Sequence, residues 1–335
     1  MSGLRFLVRR LLGAVAVMVL IAATVYAIFV LMPSDPAQLA CGRPCTPQRL
    51  TEISELMGLD QPWYQQFWEF LRGIVVGRTF GSGSAAIVCD APCFGYSFRL
   101  RTSVTELIAM RFPVTASIAV GAAVLWFVLG VGTGVLSAVK KDSLLDRSVL
   151  TVSMLGLSAP AYLVALLSIF LFGFTLGWFP TGGYIPFATD PLAWLQHLIL
   201  PWLVLALLHG ASYTRIMRTQ MLDEFGADYI RTARSKGLSE RVVIGSHATR
   251  NAIVPLITLF GLDLGVLLGG AVLTERAFSM QGLGTLLLDG VAALDLQLVV
   301  GITLFAALLI VLANLAVDIV HALIDPRVRR AALAS

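Results

Sequence analysis

Charged residues are scarce in this chain of 335 residues. Asp, Glu, Lys and Arg make up 13% of it, whereas the hydrophobic set AVILMFWYC makes up 57%. A soluble globular domain carries about a quarter charged residues, so this composition excludes an ordinary soluble protein and favours a membrane protein. The net charge of +4 does not indicate nucleic-acid binding, because the basic residues lie beside long apolar runs, where membrane topology accounts for them.

Recognisable catalytic motifs are missing as well. The sequence contains no G-x-x-x-x-G-K-[ST] loop, and the Gly-rich stretch at 77–84 has no Lys. A chain without that loop has no place to hold the phosphates of ATP. No Ser/His/Asp set and no pair of carboxylates stands out, so a membrane enzyme has little support. We therefore expect a non-catalytic chain that binds no cofactor and no metal itself.

Long apolar runs, by contrast, are abundant. A helix needs roughly 20 apolar residues to cross a bilayer. Six stretches predict such spans: 11–32, 114–138, 149–174, 195–208 with its flanks, 252–273 and 296–320. The first could be a signal peptide, but it is longer than the roughly 7–15 apolar residues of that class and no cleavage site is obvious. We expect it to be an uncleaved anchor.

The distribution of basic residues predicts the orientation. If the N-terminus is cytoplasmic, the cytoplasmic segments hold 16 of the 24 Lys and Arg residues, and the short outer loops hold only Arg276. The others lie in the long segment 33–111, and loops of that length cross the membrane largely regardless of charge. We expect an all-α polytopic membrane protein with six transmembrane helices and both termini cytoplasmic. Its parts are residues 1–32, the outer segment 33–111 and a core at 112–335.

All four cysteines fall in the outer segment: Cys41, Cys45, Cys89 and Cys93. The outer face of a membrane allows disulfides to form, and we favour them here. Four cysteines permit three pairings, between which the sequence does not choose. Free thiols and a zinc site remain alternatives, although no His flanks the cysteines and the CxxxC spacing is wider than the usual CxxC.

A strongly charged segment interrupts the apolar sequence between the fourth and fifth spans. Residues 228–238 read DYIRTARSKGL. A short helix is predicted over 227–236, with Asp228 near its start and Arg234 and Lys236 near its end, which suits the helix dipole. The plain alternative is a positively charged loop that only fixes the topology.

The same segment has features of a docking site for a soluble partner. Gly237 is placed to end the helix, and Ser239 to cap a second one. Tyr229, Ile230 and Ala233 form a small apolar patch that a partner could cover. A loop that only fixes topology would need neither a defined helix end nor this patch, so we favour docking.

Several motifs occur in one order along nearly the whole chain. DYIRTARSKGL is followed by His247 and by RNAIVP at 250–255. The other motifs are GLDQPWYQQFWEFLRG (58–73), SAPAYL (158–163), LGWFPTGG (176–183), HLILPWLVLAL (197–207), LLGGAVLTERAF (267–278), GLG (282–284) and DIVHALIDPRVR (318–329). Together they resemble permease subunits of the oligopeptide/dipeptide ABC importer family. The general importer pattern begins Glu-Ala-Ala where Arg231, Thr232 and Ala233 stand here, a departure usual in the peptide branch.

The resemblance implies a fold and a location. It implies the type I ABC importer permease fold in the bacterial plasma (inner) membrane, with the outer segment as an extracytoplasmic scoop between helices 1 and 2. The cysteine-bearing stretches look like additions to the usual loop of the family. The loop at about 210–250 would carry a coupling helix that inserts into an ATPase subunit. ATPase coupling is thereby expected of ten residues: Asp228, Tyr229, Ile230, Arg231, Thr232, Ala233, Arg234, Ser235, Lys236 and Gly237.

The resemblance also implies partners and a substrate class. The expected partners are a second homologous permease subunit, two ABC ATPase subunits that bind ATP and Mg, an extracytoplasmic substrate-binding protein and the lipid bilayer, and no nucleic acid. The chain would form half of a path for di- and oligopeptides. Relatives carry nickel, haem or sugars, so a non-peptide solute is the alternative, and a membrane scaffold is a more remote one.

Asp263 is the ionisable residue that stands out inside a predicted span. Three glycines recur every four residues around it and predict a face for close helix contact: Gly261, Gly265 and Gly269. Asp263 lies about 200° around the helix from Gly261 and so points away from that face. It could line the path, meet the partner permease or bond to a neighbouring helix. At the outer end of the same span, Glu275 and Arg276 are expected to form a local ion pair.

Overall fold

A computed structural model describes residues 2–31, 36–41, 45–81 and 86–324, and almost all of its regular structure is helical. The helices are α1 (Ser2–Leu31), α2 (Pro36–Cys41), α3 (Pro47–Met57), α4 (Trp63–Val76), α5 (Val104–Val139), α6 (Leu144–Ser158), α7 (Ala161–Ser168), α8 (Pro191–Phe225), α9 (Asp228–Ser235), α10 (Glu240–Val242), α11 (Arg250–Ala252), α12 (Val254–Leu268), α13 (Val272–Ala277), α14 (Leu283–Ala292) and α15 (Leu296–Ile324). Ile169–Thr175 and Val243–Thr249 are π-helical. The strands are β1 (Arg78–Phe80), β2 (Ile87–Cys89), β3 (Tyr96–Ser97) and β4 (Thr102–Ser103).

Several helices can cross a membrane. Within the described residues, α5, α8 and α15 are each long and apolar enough to do so alone, and two bent pairs raise the number to five if each pair is one span. The first predicted span falls on α1. Within α1, the stretch Val15–Ile28 is a shorter apolar helix that is not among the candidate membrane spans. Met32, the last residue of that prediction, lies outside the described residues. A multi-pass helical architecture is therefore confirmed, while six spans, cytoplasmic termini and the division at 33–111 stay predictions.

The third predicted span is not one uninterrupted helix. α6 ends at Ser158, and its axis and that of the helix beginning at Ala161 differ by 106°. Pro160 has no N–H and disfavours helical backbone at the preceding residue, and Ala159 is accordingly extended, with ψ 129°. Hydropathy does not register such a bend, so the apolar stretch 149–174 is divided between two helices, and its crossing the membrane as one span stays a prediction.

The fifth predicted span, 252–273, ends earlier than expected. α12 stops at Leu268, and Gly270 has a φ of +139°, which only glycine adopts readily. A Cβ at this position would also lie 2.6 Å from the Cα of Gly284. The chain therefore turns here and begins α13 at Val272.

The glycine face of α12 packs against α15, as the spacing predicts. A Cβ at Gly261 would overlap Val317, and a Cβ at Gly265 would lie 3.1 Å from the Cβ of Ala313. A larger side chain on this face would force the two helices apart. The sequence pattern of small residues thus identifies a close helix contact correctly.

Two buried apolar clusters hold the helices together. The larger lies between α5, α8 and α12 and includes side chains that are almost completely buried: Trp126, Tyr213, Met217, Met221 and Leu256. The smaller joins α1 and α4 to the start of α5 and to α14 and α15. α4 of the outer segment therefore packs in one apolar cluster with α1, α5, α14 and α15.

The outer segment contains two disulfides and also contacts α15. The structure joins Cys41 to Cys45 and Cys89 to Cys93 and leaves no cysteine free among the residues that it describes. Each pair closes its own CxxxC stretch, which leaves no thiolate for zinc. Four residues beyond the second disulfide, the hydroxyl of Ser97 donates to Asp295 at 2.5 Å, just before α15 begins.

Candidate functional site

The charged segment 228–238 is carried on the end of a long helix. α8 continues past the predicted fourth span, 195–208, as far as Phe225, so the first part of the loop predicted at about 210–250 is helical. A short turn at Gly226 and Ala227 then leads into α9. α10, the π-helical segment Val243–Thr249 and α11 follow and lead back to α12.

The predicted helix over 227–236 is confirmed as α9, but its apolar side faces inwards. Ile230 and Ala233 lie one turn apart and are both buried, Ile230 completely. They pack with α8 and with the π-helical segment. The prediction that Tyr229, Ile230 and Ala233 form a patch for a partner was therefore wrong for two of the three residues. Instead, the two buried side chains anchor α9 to its own chain.

Gly237 ends α9 in the way that the sequence predicts. Its φ is +75°, its N–H donates to the carbonyl of Arg234 at 2.9 Å, and the N–H of Leu238 donates to the carbonyl of Ala233 at 3.4 Å. These two bonds form a Schellman motif, which satisfies carbonyl groups at the helix end. The capping role predicted for Ser239 was wrong: it precedes α10, but its side chain makes no capping hydrogen bond, so α10 begins without that support.

Arg234 ties the end of α9 to the start of α10. Its Nε lies 2.8 Å and its Nη2 3.2 Å from the two carboxylate oxygens of Glu240, a bidentate pair. The guanidinium carbon also lies 5.9 Å from the centre of the Phe225 ring at the end of α8. Arg234 therefore contacts both elements that flank α9, although the ion pair itself is exposed and adds little to stability.

Tyr229 braces the opposite end of α9. Its hydroxyl donates to the carboxylate of Glu224 on α8 and accepts a hydrogen bond of 3.0 Å from Nδ2 of Asn251 on α11. Partial burial raises the pKa of Tyr229, and the bond to Glu224 raises it further. The phenol therefore stays protonated and able to donate. It links α9 to the end of α8 and to α11.

The remaining side chains of α9 form an exposed polar face. Its members are Asp228, Arg231, Thr232 and Ser235, together with Lys236 directly after the helix. Arg231 lies 3.5 Å from Asp228, but both side chains are largely solvent-exposed, so this pair contributes little to stability. The exposed face of α9 is thus polar and cation-rich, while the opposite side of the helix packs against the core of the chain.

A buried ion pair lies further back on α8, and sequence reasoning missed it. Arg218 donates to both carboxylate oxygens of Asp146 at the start of α6, each at 2.8 Å. The two residues are 72 positions apart, so no local pattern links them. The one available signal was Ser143 three positions before Asp146, the spacing of a helix N-cap, and the Ser143 hydroxyl does accept the N–H of Asp146 at 3.2 Å.

Asp263 is bonded within the chain and is separate from α9. The hydroxyl of Tyr213 on α8 donates to its Oδ2 at 2.8 Å. Tyr213 precedes Asp228 by 15 positions, mostly along α8, which corresponds to roughly 20 Å of helix. Of the three roles left open by the sequence, the contact matches a bond between neighbouring helices. The structure does not bring Asp263 together with the charged segment.

The expected pairing of Glu275 with Arg276 was wrong. Glu275 is fully buried and accepts hydrogen bonds of 2.8 Å from the hydroxyl of Thr115 and from the N–H of Thr285. Arg276 instead contacts Asp289 on α14. Adjacent residues of a helix point in different directions, so these two side chains diverge. Among the described residues, no group of three or more His, Cys, Asp or Glu is placed to hold a metal ion.

Comparison with known proteins covers nearly the whole chain. Residues 3–119 match the N-terminal membrane component of binding-protein-dependent transport systems, and residues 130–330 match the inner membrane component of such systems. A Brucella abortus protein named as a peptide transport system permease is 39% identical over 323 residues, covering 96% of this chain and 98% of that protein. The glutathione transport system permease protein GsiC of Escherichia coli K12 is 35% identical over 326 residues, with 97% and 99% covered.

Proposed function

Because the chain belongs to the family of inner membrane components of binding-protein-dependent transport systems, we propose that α9 is the contact through which it is coupled to a separate ATPase subunit. The chain is a multi-pass permease subunit of the bacterial inner membrane, from an ABC importer of the peptide and glutathione type. The observation that carries the proposal is the mounting of α9. Its apolar side is anchored by Ile230 and Ala233, and its exposed side is polar and cationic.

The ATPase subunits supply the chemistry in this proposal. ATP and Mg bind to two partner ATPases, since the sequence of this chain has no phosphate-binding loop. Closure of the ATPases displaces α9 as a rigid element. A short helix passes on such a motion only if it is firmly seated, and the contacts of Ile230, Ala233, Tyr229 and Arg234 give it that seat.

The other partners complete the translocation path. A second, homologous permease subunit forms the other half, and an extracytoplasmic binding protein delivers the solute to the outer segment. Six transmembrane helices with cytoplasmic termini place α9 on the ATPase side. In the outer segment, disulfides join Cys41 to Cys45 and Cys89 to Cys93, and the bond from Ser97 to Asp295 ties the end of the segment to the start of α15, which suits a docking surface.

Peptides are the proposed substrate class. One of the relatives is named for peptide transport and the other for glutathione, which is itself a tripeptide. We propose di- and oligopeptides for this chain. A competition assay tests this choice. Peptides of two to six residues, a nickel chelate and a sugar each compete with labelled glutathione for transport, and we expect the peptides to inhibit it. Inhibition by the sugar or the nickel chelate alone would contradict the choice.

Reversing the charge of the exposed face tests the coupling itself. The complex with its ATPases, second permease and binding protein is reconstituted in proteoliposomes carrying the double variant Arg231→Glu, Lys236→Glu. Both side chains are exposed, so the fold is retained while the partner meets the wrong charge. We expect loss of transport of labelled glutathione and of substrate-stimulated ATP hydrolysis. Arg241→Glu, an exposed residue of α10, is the matched control. Normal transport by the double variant contradicts the proposal.

A further inference from the structure

One buried ion pair fastens three elements together near the end of the bundle that carries α9. We propose that Asp146 and Arg218 are positioning residues for transport: their pairing makes α6 move with α8 and α5 when α9 is displaced. This inference rests on the coupling function proposed above, because it concerns how a displacement of α9 travels further into the bundle.

Both carboxylate oxygens of Asp146 accept hydrogen bonds from more than one donor. Besides the two bonds from Arg218, the carboxylate accepts the hydroxyl of Ser137 at the end of α5 and, at 3.0 Å, the backbone N–H of Asp142 in the connecting turn. The Asp146 side chain is 3% exposed and that of Arg218 is 18% exposed. The turn itself is folded around the carboxylate, with Asp142 at a φ of +62°. One group therefore receives donors from α5, from the α5–α6 turn and from α8.

The position of Arg218 on α8 places the ion pair close to the end of the helix that contacts α9. Arg218 lies two turns before Phe225, the residue that ends α8 and lies beside Arg234 of α9. One turn before Arg218 on the same side of α8, the hydroxyls of Thr214 and Thr133 hydrogen-bond at 2.8 Å and link α8 to α5. α8 is thus tied to α9 at its end, to α5 along its length and to the start of α6 through Asp146.

A buried ion pair is a stiff connection. Separating its members leaves the buried Asp146 carboxylate without its counter-charge, so intermediate geometries are disfavoured. The planar guanidinium also fixes the angle between the partners, because both carboxylate oxygens are held at once. α6 leads through the bend at Pro160 into α7, so a stiff link at its start extends any displacement to a second part of the bundle.

Transport efficiency distinguishes a positioning role from simple packing. In the reconstituted complex we compare Arg218→Gln with Arg215→Gln, a change of an exposed residue one turn earlier on the same helix. We expect Arg218→Gln to lower the glutathione transported per ATP hydrolysed by about three- to thirtyfold, while ATP hydrolysis itself persists. Arg215→Gln leaves the ratio unchanged. Arg218→Lys keeps the positive charge but cannot hold both carboxylate oxygens at once, so we expect a smaller loss of glutathione transported per ATP. It serves as the test variant if the complex with Arg218→Gln does not assemble.

The distance between α6 and α8 tests directly whether the ion pair holds the two helices together. Spin labels are attached at Leu144→Cys on α6 and Asp223→Cys on α8, both exposed, in a chain whose own cysteines are in disulfides. In the wild-type background we expect the same label distance with and without ATP. In Arg218→Gln, or in Arg218→Lys, we expect the distance to change or broaden when ATP is added.

The outcomes separate this inference from the function on which it rests. An unchanged transport ratio together with an unchanged label distance in the Arg218 variants overturns the positioning role alone. A wild-type complex that transports neither glutathione nor any peptide of two to six residues with ATP contradicts the proposed function instead.

Discussion

Gly237 shows how a single residue contributes through its backbone alone. A Cβ at this position would have nothing within 4 Å, so space does not explain the glycine, but its φ of +75° does. The conformation allows two hydrogen bonds back onto the last turn of α9. Gly237 and the helix that it ends were predictable from the sequence, because capping depends on near neighbours.

Replacing Gly237 with Ala is expected to loosen α9. A left-handed conformation costs a residue with a Cβ about 1–2 kcal/mol, which corresponds to a roughly five- to thirtyfold larger population of the open helix end. Hydrogen exchange of the α9 amides measures this opening. Gly245→Ala is the control, since Gly245 also has open space around it but no positive φ. Equal exchange rates in Gly237→Ala and wild type would show that the Schellman bonds do not hold α9.

Other residue roles could not be predicted from local patterns. An eight-residue helix with Ile230 and Ala233 on one side fits an outward patch and an inward anchor equally well. The choice depends on α8 and the π-helical segment, which approach it from elsewhere in the fold. The pairing of Asp146 with Arg218 depends in the same way on the antiparallel course of distant helices.

At the scale of elements, hydropathy located the helices better than it located their breaks. α5, α8 and α15 coincide with predicted spans because an apolar run is a property of composition. The bend at Pro160 and the stop at Gly270 are properties of one backbone position each. Both residues were visible in the sequence, but proline and glycine also occur inside membrane helices, as Pro201 does in α8.

The contact between α12 and α15 is expected to depend on small residues. In Gly261→Leu the new side chain meets Val317, and overpacking of this kind costs about 1–3 kcal/mol. We expect a lower melting temperature for the purified protein in detergent. Gly132→Leu on α5 is the matched control, because nothing lies within 4 Å of a Cβ there. Equal melting temperatures for the two variants would contradict the close packing of α12 on α15.

At the scale of the whole molecule, the basic residues predict which side faces the cytoplasm, and α9 lies on that side in the prediction. Its contacts make it a rigid extension of α8, and through α8 it is joined to the packed body of the chain. A partner that displaces α9 therefore acts on several helices at once.

Photo-crosslinking from α9 tests this account most directly. A photoreactive residue replaces Thr232, which is exposed and whose hydroxyl bonds only to the Asp228 carbonyl of its own helix in the described structure. Thr219 on α8, also exposed and bonded to a carbonyl four residues earlier, provides the matched control. We expect the assembled importer to yield a crosslink to an ATPase subunit from position 232 and none from position 219. An assembled, ATP-hydrolysing complex that gives no crosslink to the ATPase from position 232 would contradict the coupling role of α9.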